Sequence, residues 1–203
     1  MTDYFALLDE IRRPWLDADS LKHKFLTRSA EFHPDRVHGA DDATRALAQQ
    51  RYTELNSAYL CLRDPRERLR HLLELELGRK PGDLQEMPTE LADLFMEIAR
   101  ASRQTDGFLV RQAGITSPLL RAQSFTEAQE FADQLTGLQQ TIKARNDLLL
   151  LKLRELDGVW AERSVIPDER PILLAELEII CRWLGFFSRW NGQIQERLLR
   201  LML

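Results

Sequence analysis

The stretch Asp17-Ala18-Asp19-Ser20-Leu21-Lys22-His23-Lys24-Phe25-Leu26-Thr27-Arg28-Ser29-Ala30-Glu31-Phe32-His33-Pro34-Asp35 decides how the N-terminal part of this chain folds. Asp17 to Ser20 offers short acceptor side chains for the free N–H groups of a first helical turn, so a helix begins there. Leu21, Phe25 and Phe32 lie four and seven apart and share one face, while Lys22, Lys24 and Arg28 point elsewhere. Pro34 stops the helix, because the residue before a proline is pushed out of the helical region and the ring cannot continue the ladder. His33 and Asp35 are therefore expected in an exposed turn. Gly39 to Asp42 reads as a loop. From about Asp42 to Leu62 a second helix is predicted, antiparallel to the first, with Ala46, Leu47, Leu55, Ala58, Tyr59 and Leu62 at helical spacing.

A His-Pro-Asp tripeptide between two amphipathic helices resembles the J-domain. The run from Glu54 to Asp64-Pro65, with Arg68 just beyond, is similar to the end of the third J-domain helix and the start of the fourth. Asp3-Tyr4-Phe5-Ala6-Leu7-Leu8 is similar to the short opening segment of such domains, so the resemblance covers residues 3 to about 75.

Composition bounds the rest. At 203 residues the chain has room for two small domains, each with a core. With 44% hydrophobic and 30% charged residues and only nine glycines and eight prolines, an all-α protein is expected rather than a disordered one. A net charge of −4 gives no general attraction for a polyanion, so nucleic acid is not an expected partner. Cys61 and Cys181 are far apart and belong to no Cys-x-x-Cys pair, which argues against a disulfide framework or a thiolate zinc site and fits a reducing cytoplasm. His23, His33 and His38 spread over a helix and a turn without a fourth ligand, so neither a metal nor another cofactor is expected. No signal peptide is expected, and no apolar run approaches the roughly 20 residues that span a bilayer, so no membrane association is predicted.

Gly78-Arg79-Lys80-Pro81-Gly82 and Met87-Pro88 concentrate helix breakers, which divides the chain into 1–76, a linker at 77–88, and a second domain at 89–203. Thr89 is the expected N-cap of a helix from Glu90 to about Arg103, with Leu91, Leu94, Phe95 and Ile98 as its stripe. Gly107, Gly114 and Ser117-Pro118 predict a loop-rich segment over 104–124 with one short helix. A long helix is expected from Ser124 to about Arg163 along Phe125, Ala128, Phe131, Leu135, Leu138, Ile142, Leu149, Leu153, Leu156 and Trp160. Gly137 and Gly158 weaken it, and Gly158 is an alternative end. After Pro167 and Pro171, a last helix is predicted over Ile172 to Leu203. Stripes of this length need partners, and an antiparallel three-helix bundle is the economical solution.

A J-domain, a short linker and a three-helix bundle together resemble the HscB-type co-chaperones of iron–sulfur cluster assembly. Leu62 to Leu75 is similar to the family's Leu-Arg-x-Pro segment, with His71 where tyrosine is usual. Leu94-Phe95-Met96-Glu97 resembles its Phe-Leu-Met-Glu motif, and Leu184-Gly185-Phe186-Phe187 falls where Leu-x-Phe-Leu is typical. The resemblance implies that His33, Pro34 and Asp35 dock on an Hsp70 and trigger ATP hydrolysis in that partner, the J-protein itself performing no chemistry. Asp35 would supply a carboxylate for a charge-assisted bond, and Lys22, Arg28 and Arg36 would raise the encounter rate with an acidic chaperone surface. Carried over by position, Phe95, Met96, Ala99 and Phe186 are the candidate patch for the client, an iron–sulfur scaffold protein. Family members place further acidic residues along that helix, where this chain has Ala99, Arg100 and Arg103. Two alternatives stay open at this point: a J-protein for another dedicated client, and a helical adaptor whose His-Pro-Asp engages no chaperone. Trp183 and Trp190 read equally as core or contact face, and the oligomeric state is open.

Overall fold

The computed structural model describes residues 2–32, 36, 39, 41–82, 88–114, 117–163 and 169–202, and all of its regular structure is helical. Seven helices follow in order: α1 (Tyr4–Leu7), α2 (Ala18–Glu31), α3 (Asp42–Arg63), α4 (Pro65–Leu77), α5 (Thr89–Ala113), α6 (Pro118–Arg163) and α7 (Arg170–Leu201). They fall into two compact units, one made of Met1–Gly82 with Leu150–Cys181 and the other of Asp83–Leu149 with Arg182–Leu203.

In the first unit, local chemistry sets the helix ends. Asp17 accepts from the Ser20 N–H at 2.8 Å to open α2, Asp41 accepts from the Thr44 N–H at 2.9 Å to open α3, and Asp64 accepts from the Glu67 N–H at 2.9 Å to open α4. Pro65 is the first residue of α4, where its missing N–H costs nothing. Gly78 closes α4 in the left-handed region at φ 65, a conformation that a Cβ would penalise. α2 and α3 form the expected antiparallel pair. Leu21, Leu55, Ala58 and Leu62 are buried, and Phe25 stacks on Tyr59 with ring centroids 4.4 Å apart. Leu47, predicted on the inner stripe, is instead exposed, because the buried face of α3 begins one residue later with Ala48.

Residues 150–181 join this unit through polar contacts, among them those of buried Asp157 and Trp160. Asp157, only 4% exposed, accepts from Arg13 through Nε at 2.9 Å and through Nη2, and from the Trp15 N–H at 3.0 Å. Trp160 Nε1–H donates to the Arg12 carbonyl at 2.9 Å. Buried Arg68 donates to the carbonyls of Pro14 at 2.8 Å and Leu62 at 2.7 Å, and burial pulls its pKa down to about 10. Arg170 pairs with Glu76, and Arg79 with Glu178 at 3.2 Å. Irregular backbone over 12–16 carries polar groups that no ladder satisfies, and these side chains satisfy them.

His71 is buried at the start of this unit. Its Nε2 accepts from the Tyr4 N–H at 3.1 Å, and its ring stacks on Tyr4 with centroids 4.6 Å apart. An accepting ring nitrogen carries no proton, and burial holds the pKa below the ordinary 6.5. A depressed folded-state value means that stability is complete above the unfolded pKa and is lost as pH falls. Urea midpoints are therefore expected to be level above about pH 6.5 and to decline below it, by at most about 1.4 kcal/mol per pH unit down to the folded-state pKa. His71→Gln, which accepts without titrating, should flatten that slope.

The second unit is an up-down-up arrangement. Phe108 of α5 meets Phe131 of α6 with centroids 5.3 Å apart, and Phe95 of α5 meets Trp190 of α7 at 6.2 Å. Gln139 of α6 donates to Asn191 and Gln195 of α7 at 2.9 and 3.0 Å. Pairings of 95 with 190 and of 106 with 197 make α5 and α7 parallel, with α6 running against both.

Several expectations need correction. The segment 104–124 is not loop-rich: α5 continues to Ala113 and α6 begins at Pro118. Thr105, Phe108 and Leu109 are buried and extend the stripe of α5, and this outweighs the roughly 1 kcal/mol that a mid-helix Gly107 costs. Pro118 opens a helix rather than breaking one. Thr89 is not the cap of α5. Pro88 occupies that position without a side-chain bond, and Thr89 is the first helical residue. Gly158 does not end α6, which reaches Arg163, and α7 spans Arg170–Leu201 with Pro171 inside its first turn. Phe125, expected in the core, is 69% exposed. Pro167 and Leu203 lie outside the described residues.

Candidate functional site

Two surfaces carry the residues singled out from the sequence. At the first, α2 ends at Glu31 with Phe32 as its C-cap, and α3 starts at Asp42, so the His-Pro-Asp motif falls in the sequence between them. His33, Pro34 and Asp35 themselves lie outside the described residues. Arg36 and Lys22 are exposed. Arg28 is half-buried, and its guanidinium is engaged by Asp9, with Nε at 2.7 Å from the carboxylate and Nη2 also in contact. Lys24 is held in the same way, by Glu10 at 2.9 Å and by the Asp9 carbonyl at 2.8 Å. Asp9 has a left-handed backbone, φ 52, which aims its side chain and carbonyl back at α2. The basic face of α2 is thus partly neutralised by the Asp9–Glu10 bend, which leaves Lys22 exposed on the helix, while Arg36 is exposed beyond its end.

At the second surface, the α5 side chains Phe95 and Met96 are 39% and 53% exposed, large values for apolar residues on a bundle helix. Ala99 is half-buried one turn on. Phe186 of α7 is only 7% exposed. It stacks on Trp190 with centroids 5.4 Å apart and lies beneath Arg189, whose guanidinium is 5.0 Å from the ring centre. Phe95, Phe186 and Trp190 form one aromatic group, so the four carried-over positions fall on neighbouring faces of α5 and α7, with Phe186 as floor and Phe95 and Met96 as the accessible part. Trp190 is buried and Trp183 half-buried.

A search of curated proteins finds the co-chaperone protein HscB homologue of Paraburkholderia phytofirmans 43% identical over 72 residues, covering 36% of this chain and 41% of that protein. The HscB homologue of Burkholderia thailandensis is 32% identical over 105 residues, 52% of this chain and 59% of its own length. Among solved structures, HscB from Vibrio cholerae superposes with a TM-score of 0.61 at 21% identity over 96% of both chains. The chain is HscB-like in sequence and in fold. Human HscB gives a TM-score of 0.65 at 19% identity, covering 96% of this chain and 81% of the human one. The HscB-like fold is all-α, with an N-terminal J-domain, whose antiparallel helical pair is α2 and α3, and a C-terminal helical bundle, to which α5, α6 and α7 contribute. The chain spans only about two to three fifths of the length of these curated relatives, and no protein-family model matches it.

Sequence reasoning missed one contact at each of these two surfaces. Arg189 caps Phe186, a contact three residues apart on one helix face that spacing alone could have raised. Asp9 as the partner of Arg28 had no local signal, being nineteen positions away across a bend. Burial pushes the Cys61 and Cys181 thiols up to about 11, so neither offers a thiolate at neutral pH. Among the described residues no cluster of three or more His, Cys, Asp or Glu could hold a metal ion, and no helix is long and apolar enough to cross a membrane.

Proposed function

We propose that this protein is a cytoplasmic J-domain co-chaperone that stimulates ATP hydrolysis by an Hsp70 through His33, Pro34 and Asp35 and delivers a client held on α5 and α7. The observation that carries this reading is the tripeptide between an antiparallel α2–α3 pair in a chain 43% identical over 72 residues to an HscB co-chaperone homologue. In this reading the J-domain occupies 1–76, a connecting segment 77–88, and the client-binding region 89–203. Lys22 and Arg36 provide the exposed attraction to the chaperone, and Arg28 shapes the face from its place against Asp9. The bond made or broken by ATP hydrolysis lies wholly in the Hsp70, and the J-protein contributes binding energy to the hydrolysis-competent state. The client is an iron–sulfur scaffold protein, as the likeness to HscB implies, with Phe95 and Met96 as its apolar contacts.

The test is single-turnover ATP hydrolysis by the host's Hsp70 proteins, with this protein alone and with the host's scaffold protein. Stimulation by the protein alone, raised further by scaffold, is expected. Phe95→Ala with Met96→Ala should remove the scaffold's contribution and keep the rest, since both side chains are exposed. No stimulation of any host Hsp70 would overturn the reading. Ala99, Arg100 and Arg103 on α5 favour a second reading in which the same J-protein serves another dedicated client, and stimulation without any response to scaffold would select it.

A further inference from the structure

The apolar face shared by α5 and α7 is bordered by cations, although the chain as a whole is negative. Arg103 lies four residues after Ala99 and seven after Met96, and so stands on their side of α5. It is exposed, and among the described residues it is paired with no carboxylate. Arg189 borders the same face from α7, exposed, with its guanidinium over Phe186 and likewise no carboxylate partner among the described residues. Arg100, also exposed, stands four residues after Met96 on its outer side.

On α5 the neighbouring carboxylates are directed elsewhere, while on α7 Glu196 is exposed seven residues after Arg189. Asp106, which falls in the row of Ala99, is bound by Arg197 at 2.7 Å and has Arg200 at 3.9 Å, so its charge is already matched. Glu97 lies in the row of Gln104 and Arg111, seven apart, and Arg111 pairs with Glu127 of α6 at 2.7 Å. That row, which Asp93 joins four residues before Glu97, is therefore turned to the α6 side. Beside Phe95, Met96 and the Phe186 floor this leaves Arg100, Arg103 and Arg189 exposed against the carboxylate of Glu196, a rim with an excess of positive charge.

We infer that the partner bound on the α5–α7 face is a protein segment with an apolar centre flanked by aspartates or glutamates, which pair with Arg103 and Arg189. This rests on the reading of that face as the client site. Arginine suits the role because its planar fork binds carboxylates in bidentate fashion while its body packs on aromatic rings. At physiological salt, charge acts over about 8 Å, so the local rim and not the net charge of −4 governs docking. Charge complementarity of this kind sets partner choice and association rate more than total affinity.

Two fluorescent amphipathic helical peptides with the same leucine face, one flanked by glutamates and one by lysines, test this by anisotropy titration against the full chain. The glutamate-flanked peptide is expected to bind roughly tenfold more tightly, with the margin shrinking as salt is raised. Arg103→Glu with Arg189→Glu should reverse the preference, and Arg103→Lys with Arg189→Lys should keep its direction. Equal binding of the two peptides, binding of neither, or an unchanged preference in the glutamate variant would overturn the inference. So would tighter binding of a random-sequence DNA duplex than of the glutamate-flanked peptide. Failure of Hsp70 stimulation would show in the hydrolysis assay and leave the peptide preference unaltered, so the two readings fail separately.

Discussion

Asp35→Asn is expected to abolish stimulation of Hsp70 ATP hydrolysis while leaving helix content and the urea midpoint of the protein unchanged. The substitution keeps the shape of the side chain and removes its charge. A carboxylate accepting from an arginine makes a charge-assisted bond, and hydrogen bonds to charged groups contribute roughly 1.5–3 kcal/mol. Loss of one such bond alone is about a ten- to hundredfold loss of affinity, and the arginine left unpaired in the complex adds to it. The N-caps of α2 and α3 are supplied by Asp17 and Asp41, so neither helix start draws on this charge. Lys22→Ala gives the contrast. It should slow association and weaken the salt dependence without removing stimulation at saturating protein. Retention of full stimulation by Asp35→Asn would remove the tripeptide from the mechanism.

The helical pair around that tripeptide was legible because its signals are local. Asp17 stands at the start of α2, Asp64-Pro65 at the start of α4, and the apolar spacing of Leu55, Ala58 and Leu62 needs only one buried face. The region 104–124 was misread because Gly107 and Ser117-Pro118 are punctuation only where packing does not oppose them. Phe108 and Leu109 bury deeply enough to carry α5 through its glycine, and Pro118 is the first residue of α6, a place where proline is tolerated. Periodicity also cannot name the partner of a stripe. Leu153 and Trp160 fit the same spacing as Leu135 and Ile142, yet the first pair lies in the unit with Met1–Gly82 and the second in the unit with α5. The client face was legible only by resemblance. Phe95 sits in a stripe with Leu91, Leu94 and Ile98, and exposure is what separates it from them, whereas Met96, two residues from Leu94 and from Ile98, lies off that stripe.

The hidden residue with the greatest structural weight is Asp157, for no composition rule places a carboxylate in a core. Asp157→Ala is expected to destabilise the first unit by about 2–4 kcal/mol, and Asp157→Asn by distinctly less. The carboxylate side chain is 6% exposed, whereas that of its partner Arg13 is 42% exposed. The ion pair itself is therefore half screened, and its own contribution is modest. The larger effect comes from the Trp15 N–H, which donates to Asp157 at 3.0 Å from an irregular segment and has no ladder to fall back on. Alanine removes that acceptor and leaves a cavity beside Leu153 and Trp160. Asparagine keeps an oxygen for the Trp15 N–H and loses the guanidinium pairing. The segment Arg12–Trp15 is further held by Trp160 and Arg68, so loosening it exposes those donors in turn. Urea denaturation gives the size of the loss, and native-state hydrogen exchange at the Trp15 amide locates it. The alanine variant should exchange there far faster than the wild type, and the asparagine variant only slightly faster. Equal losses in both variants would assign the stabilisation to the charge pair instead. A loss under about 1 kcal/mol for alanine would mean that the Trp15 N–H finds water without cost, and that the pairing with Asp157 is a surface contact.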